Sequence, residues 1–517
     1  MLFTSYAFLA FVIALFVLYY ALPKKCQGYL LLFGSLFFYA FAGISCLFYI
    51  AFTILTVFFA ALLIDKNLQS SKTYIKEHKE ILSKEEKKAY KRKREKARSM
   101  ILAVAIVTNI VLLAFVKFSG FFLKGLLMPL GISFYMFKSL GYLIDVYREN
   151  TDAEKNIFKY ALFVSFFPEL IQGPISRYGD MRDSLFGGHY FEAAKFAKGI
   201  QRILWGYFKK LVVADRLLIA VSTLIGAPDV YRGGYVIILL LFYTIELYAD
   251  FSGGIDITIG IAECLGINIR ENFLRPYFST SLAEYWRRWH ISMCSWFRDY
   301  MFYPISTSKP VQNIAKFSKE HIGAKAGRRI PIWISSLIVW LSTGLWHGAT
   351  LNFIVWGLLN FLVLMISEEL TPLYDRFHAR FKWAGGKPYT LFMMLRTFVL
   401  VCIMNLFDCF VKVGDTLSLL FSIFSKSAWT AAKGGNILEL GLDMSDYIVL
   451  ITALIVMLAV SIFEEKNRDN GLCVRDMLLK RPYAVRFLLF SLLFASIIVF
   501  GIYGIGYDAS QFIYNRF

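Results

Sequence analysis

"STGLWHGATLNF", residues 342–353, lies inside a run from Ile330 to Ser367 that contains no Asp, Glu, Lys or Arg. A helix needs about 20 apolar residues to cross a bilayer. The run therefore predicts two crossings, near 330–346 and 349–367, turned about Gly348. Its one ionisable side chain is His347. An ionisable group at membrane depth is costly to place and faces a cavity or a partner. A histidine at a hairpin turn can equally cap a helix end at the outer face. A neutral imidazole, whose ordinary pKa is about 6.5, suits general-base work. Gly344 and Gly348 beside it leave room for a substrate or a second helix to come close.

The same texture runs through the whole chain. Its 517 residues are 57% hydrophobic and 18% charged, with mean hydropathy +0.55. That combination excludes a soluble globular protein and predicts an all-α polytopic membrane protein. The first apolar stretch, Leu2–Leu22, lacks a basic leader and is followed by Pro23-Lys24-Lys25, which predicts a retained helix and not a cleaved signal. The formal charge is +19, and its placement excludes the nucleic-acid reading that a basic protein invites. Residues 65–99 hold 13 Lys/Arg against 6 Asp/Glu, and residues 268–329 hold 11 against 4. Basic loops between apolar spans mark the cytoplasmic side. The seven cysteines form no CxxC pair, so neither a disulfide framework nor a zinc site is indicated.

Spans are expected near 2–22, 27–42, 44–64, 100–117, 157–172, 211–226 and 232–250. Five more follow near 330–346, 349–367, 388–411, 446–463 and 484–506, for about twelve crossings in all. Two apolar stretches carry charges and glycines, 128–147 and 250–267, and are expected to be re-entrant. The acidic-leaning 148–156 is then placed outside. The stretch "FEAAKFAKGIQRILWGYFKK" (191–210) spaces its apolar residues as an amphipathic helix lying in the interface. No internal repeat is visible, which removes the two-fold symmetry expected of a transporter with a proton-relaying histidine.

Of six histidines, His78, His189, His321 and His378 sit in polar or charged surroundings. His290 lies in "SLAEYWRRWHISMCSWFRDYMFYP" (281–304), where Trp286, Arg287, Arg288, Trp289 and Trp296 read either as an interfacial anchor belt or as a site for an anionic donor. Asp250 and Asp256 could relay a proton or neutralise arginines of the basic 268–329 loop, and the second reading is preferred. No P-loop, GxGxxG, HExxH or GxSxG pattern stands in its proper context, and no metal ligand set is found.

Several stretches together resemble the membrane-bound O-acyltransferase family, in particular its bacterial alginate O-acetyltransferase-like branch. They are "MPLGISFYMFKSLGYLIDVYR" (128–148), "FVSFFPELIQGPISRY" (163–178), "GYFKKLVVADRL" (206–217), "LYADFSGGIDITIGIAECLGI" (247–267), "NFLRPYFSTSLAEYWRRWHISMCSWFRDYMFYP" (272–304) and "STGLWHGATLNFIVWG" (342–357). The tail "QFIYNRF" (511–517) also resembles that branch. The resemblance implies a single membrane domain over residues 1–517: N-terminal helices (1–118), a catalytic core (119–370) and C-terminal helices (371–517). It implies a ring of about twelve helices with re-entrant segments and a central tunnel. His347 matches the family's catalytic histidine and His290 its second ionisable position. Arg287, Arg288, Trp286 and Asp250 are expected on the substrate side. No bound cofactor is implied; the donor would be acetyl-CoA or an acyl-carrier thioester. The implied function is relay of acetyl groups across a bacterial cell membrane to a polysaccharide. An extracellular esterase-like partner of SGNH type, and an acyl carrier protein, would assist. The alternative within the family is D-alanyl transfer to teichoic acid.

Overall fold

The computed structural model describes residues 2–118, 131–426, 429 and 437–504, and every regular element among them is helical. Eight helices are long and apolar enough to cross a membrane: Ile44–Glu77, Lys84–Lys117, Gly234–Cys264, Ala324–His347, Leu351–Glu369, Lys387–Cys409, Met444–Lys466 and Tyr483–Phe500. The other four expected spans coincide with shorter helices among the described residues. Helices Tyr6–Ala21 and Lys24–Ala40 have 16 and 17 residues, and Asp215–Gly226 has 12. The expected span 157–172 is broken into Ile157–Ser165 and Phe167–Leu170, because Pro168 and an extended Phe166 interrupt it. The tail 511–517 and residues 128–130 of the first charged apolar stretch lie outside the described residues. The chain divides into two compact units, residues 1–200 with 258–270, and 201–257 with 271–517.

In the first unit the basic segment 65–99 is not a loop. Helix Ile44–Glu77 and helix Lys84–Phe118, 34 and 35 residues long, carry it as two projecting ends. At 1.5 Å per residue each exceeds about 50 Å, well beyond the ~30 Å hydrocarbon core. The projecting ends are pinned by the stacked rings of Tyr74 and Tyr90, 4.5 Å apart. Lys72 donates to Glu149 at 2.8 Å, and Arg98 lies 3.6 Å from the same carboxylate. Tyr178 donates to Glu154 at 2.5 Å. Segment 148–156 therefore stands on the basic side together with the loop after Leu170, and the outside placement is corrected. A nine-residue helix of about 14 Å cannot carry the chain across.

Segment 131–147, expected to be re-entrant and interrupted, is the unbroken helix Ile132–Tyr147. Its charge is matched inside the protein: Lys138 meets Glu169 at 2.5 Å with both side chains buried, and Ser176 donates to the same carboxylate. The helix starts at Gly131, at φ +72°, where a Cβ would sit 1.9 Å from the Leu170 carbonyl oxygen. Only glycine fits such a left-handed, crowded position.

In the second unit the segment expected at the interface is buried by its polar side. Gln201, Arg202, Tyr207, Lys209 and Lys210 are buried while Ile203 and Leu204 remain partly exposed. The chain widens from the helix Ala193–Tyr207 into a π-helix, Phe208–Ala214. It packs on helix Gly234–Cys264, which is unbroken where re-entry was expected. Glycines make that contact possible: a Cβ on Gly206 would lie 2.6 Å from the Gly253 carbonyl oxygen. Close backbone approach through small residues is the usual membrane helix contact. Helices Ala324–His347 and Leu351–Glu369 form a hairpin. Cβ atoms on Gly344 and Gly357 would fall 2.4 and 2.5 Å from the carbonyl oxygens of Phe353 and Trp340. Arg329 pairs with Glu369 at the opposite end from His347.

The placement of 148–156 is checked by thiol labelling in a Cys26→Ser background, since Cys26 is exposed. Asp152→Cys and Asp183→Cys, both exposed, and Lys79→Cys in the basic hairpin should behave alike. All three should resist an impermeant thiol reagent in intact cells and react after permeabilisation. Reaction of Asp152→Cys in intact cells would put the segment outside.

Candidate functional site

His347 is the last residue of its 24-residue helix, about 36 Å long. Gly348 leaves the helix with extended backbone, so the imidazole stands at the hairpin turn. It is wrapped by aromatic rings: Trp346 and Trp356 meet it edge-on at 4.8 and 4.9 Å, and Phe353 stacks on it at 5.8 Å. Both readings of this residue therefore describe its position. It ends a helix, and it also lines a cavity.

The other wall of that cavity is His290. It joins the short helices Leu282–Arg288 and Ile291–Phe297 at φ +44°, a left-handed conformation that non-glycine residues seldom adopt. Strained backbone of this kind persists only where the surroundings hold it. Here the extended segment after Glu271 does so. Leu274 N–H donates to the Arg288 carbonyl at 2.9 Å, and Ile291 N–H donates to the Asn272 carbonyl at 3.0 Å. Phe251 packs edge-on against the His290 ring at 4.9 Å. Burial first, and the neighbouring His347 second, hold the His290 imidazole below its ordinary pKa, so it is neutral at physiological pH.

The cavity has a volume of about 40 Å³, room for a few water molecules. His290 and His347 share it with Asn405 and Asp408 on helix Lys387–Cys409 and with an aromatic wall that includes Trp286, Trp289 and Trp356. Two histidines and one carboxylate in an aromatic enclosure can take up, hold and return a proton beside a reacting group. A buried apolar setting also strengthens each hydrogen bond made there.

Of the six side chains singled out by sequence, His347, His290 and Trp286 come together at this cavity. Trp286 donates its indole N–H to Asn360 at 3.0 Å. The other three stand elsewhere. Arg287 is exposed. Arg288 is buried in an ion-pair network, 2.6 Å from Glu284 and 2.9 Å from Glu465, with Arg275 also on Glu465 at 2.8 Å. Asp250 is fully buried and meets Lys210 at 2.5 Å, while Lys210 also reaches Asp215 at 2.8 Å. Asp256 takes Arg202 at 3.0 Å and Lys209 at 2.7 Å. These cations precede the carboxylates in the chain and do not come from the 268–329 segment. Sequence reasoning passed over Asn272 and Asp408. Asp408 had a legible signal, being the only charged residue from Thr397 to Val411. Asn272 had none.

Comparison with known proteins agrees with this architecture. The profile of the membrane-bound O-acyltransferase family matches residues 35–407. The chain belongs to that family and is a multi-pass membrane protein. It is 31% identical over 358 residues to a probable alginate O-acetylase AlgI of Pseudomonas syringae pv. tomato, covering 69% of this chain and 63% of the relative. A peptidoglycan O-acetyltransferase of Helicobacter pylori is 28% identical over 389 residues, 67% of this chain and 66% of the relative. A teichoic acid D-alanyltransferase of Bacillus subtilis is 25% identical over 284 residues, 53% of this chain and 66% of the relative. The matches span just under two thirds of the length of these curated relatives.

The ion pairs around Asp250 give a stability prediction. Lys210→Met would leave Asp250 and Asp215 buried without their cation, a change that typically costs about 3–5 kcal/mol. Thermal unfolding of the detergent-purified protein should show a much lowered midpoint and poor accumulation in membranes. Wild-type stability of Lys210→Met would mean that the pairs do not hold the fold and would return Asp250 to the substrate side.

Proposed function

We propose that this protein is an O-acyltransferase that passes acetyl groups from a thioester donor on the cytoplasmic side to a polysaccharide outside the membrane. The observation that carries the reading is the small aromatic cavity that brings His290 and His347, 57 positions apart in sequence, onto one reacting point. A sugar hydroxyl is a poor nucleophile until a base takes its proton. His347 is that base. As the proton passes to the imidazole, the hydroxyl oxygen bonds to the thioester carbonyl carbon. The tetrahedral intermediate collapses with cleavage of the C–S bond, and the sulfur leaves with the proton that His347 held. One acyl group and one proton change places, and no redox partner is needed. Acetyl-CoA and an acyl-carrier thioester both meet this requirement. The volume of about 40 Å³ suits a two-carbon acyl group and not a long chain. The names of the two acetylating relatives support acetyl transfer. Where the polymer is too bulky for the cavity, an SGNH-type esterase-like partner outside would supply the attacking hydroxyl in place of the sugar and pass the acetyl group on to the polymer, and a carrier protein would serve if the donor is a carrier thioester.

One observation favours a second acyl group. Asp408 places a carboxylate in the cavity lining. A D-alanyl ester, unlike an acetyl ester, carries an ammonium that such a carboxylate would pair with, and one relative is named for that transfer. Analysis of the ester released from the cell-surface polymer by mild base separates the two: acetate supports the first reading and D-alanine the second.

His347→Ala should lower ester formation by about 10²–10⁴-fold, the usual share of a positioned acid–base group, while the protein accumulates normally in the membrane. His347→Gln should be nearly as inactive. His378→Ala, on the exposed face of helix Thr371–Arg380, is the control and should remain near wild type. Normal ester content with a well-accumulated His347→Ala protein would leave only the helix-ending role. For the arginines, Arg287→Lys would weaken donor binding if the planar guanidinium grips an anionic donor. An unchanged donor KM would make Arg287 a membrane-surface anchor.

A further inference from the structure

Asn272 does not line the cavity, yet its amide is fully buried against His290. Its Oδ1 accepts from the Ser292 backbone N–H at 3.0 Å and from the Ser292 hydroxyl at 2.9 Å. A backbone N–H can only donate, so this contact fixes which end of the amide carries oxygen. The amide nitrogen Nδ2 then lies 3.1 Å from His290 Nδ1. Oδ1 is slightly farther from that ring nitrogen, 3.3 Å, and already takes two protons. A buried NH2 group needs an acceptor, and the lone pair of His290 Nδ1 supplies it. Were Nδ1 protonated, two donors would face each other in a buried site. The neutral ring therefore carries its proton at Nε2.

We infer that Asn272 is a positioning residue that holds His290 in the Nε2–H tautomer, so that His290 serves as a hydrogen-bond donor to the thioester carbonyl oxygen and not as a second base. The inference rests on the acyl-transfer reading of the cavity. It divides the labour between two chemically identical side chains. His347 accepts the proton of the attacking hydroxyl, and His290 stabilises the negative charge that the carbonyl oxygen gains. The backbone contact of Asn272 with Ile291 and the side-chain contacts with Ser292 grip the residues that follow His290, so the amide and the strained turn are held as one piece.

Asn272→Asp tests this without changing size. One carboxylate oxygen still accepts from Ser292, but the other now faces Nδ1 as an acceptor and draws the proton there. The Nε2 donor is lost in the neutral ring and regained when His290 becomes an imidazolium. The assay uses membrane vesicles containing the full chain, radiolabelled acetyl-CoA and cytosol to load any carrier, with label transferred to polymer as the readout. At a pH of about 8 the variant should be slower by about 10²–10³-fold, the usual cost of one oxyanion donor. The new carboxylate beside Nδ1 stabilises the imidazolium against the burial that keeps the native His290 neutral, so the ratio of variant to wild-type rate should rise as the pH falls toward about 6. Taking the ratio removes the pH effects common to both proteins. In a His290→Gln background, where the amide N–H donates whatever residue 272 is, adding Asn272→Asp should cost nothing further. A ratio that is flat or falls with decreasing pH, a variant silent at every pH, or an equal cost in both backgrounds would overturn the inference. His347→Ala in the same vesicles separates this from failure of the underlying reading. If His347→Ala transfers normally, the cavity is not the acyl-transfer site. If it is inactive while the ratio stays flat, only the role of Asn272 falls.

Discussion

The pairing of buried lysines and arginine with buried aspartates is the constraint on which the second unit is built. Charges taken out of water are tolerated only when matched and hydrogen-bonded. Arg202 and Lys209 meet Asp256, and Lys210 meets Asp250. Consecutive lysines on a regular α-helix would point about 100° apart. The widened turn of the π-helix Phe208–Ala214 lies where the two successive lysines each reach a carboxylate on the same partner helix. π-turns within α-helices often mark functional regions. Gly206 and Gly253 then let the two backbones close. The result fixes the face of helix Gly234–Cys264 that carries Phe251, and Phe251 packs on His290. Asp250 is thus one residue away from the reacting cavity while its own carboxylate belongs to the scaffold.

A second layer of support comes from aromatic and glycine contacts. The hairpin at His347 closes because Gly344 and Gly357 present no side chain to the opposing backbone. Trp286, Trp340 and Trp356 fill the space beside it, with ring centroids 4.9 and 5.7 Å from Trp286. Large, rigid rings leave little room for water, and each polar group they enclose gains strength as a donor or acceptor. His290, held by Asn272 on one edge and Phe251 on its face, is pre-oriented before any substrate arrives. Preorganised dipoles of this kind are a large part of enzymatic rate acceleration.

Much of this was legible in the sequence, for identifiable reasons. Charge-free runs predicted the long helices, and an isolated histidine within one of them marked His347. Eight of the twelve expected spans are long apolar helices among the described residues, and the expected span 157–172 is broken at Pro168, which hydropathy does not register. Charge counting placed 148–156 outside, since it could not see that Glu149 reaches back to Lys72 and Arg98. The segment 191–210 looked like a surface helix because its cations were assumed to face water. In fact Arg202, Lys209 and Lys210 face Asp256 and Asp250, while Lys195 stays exposed beside Glu192. Arg288 looked available for a donor until Glu284 and Glu465 were found on it. Asn272 could not be picked out at all, since an asparagine in a polar-aromatic stretch carries no pattern of its own and its meaning lies in three hydrogen bonds.

The most direct measurement is a structure of the full chain with a stable acetyl thioether or ketone analogue of acetyl-CoA, determined in lipid nanodiscs. The analogue's carbonyl should enter the cavity between His290 and His347, with its oxygen within about 3 Å of His290 Nε2, the reach of an ordinary hydrogen bond. The open side of its carbonyl carbon should face His347. An analogue bound with its carbonyl in another pocket, and the two histidines still enclosed by their aromatic wall, would contradict the assignment of this cavity as the place of acyl transfer.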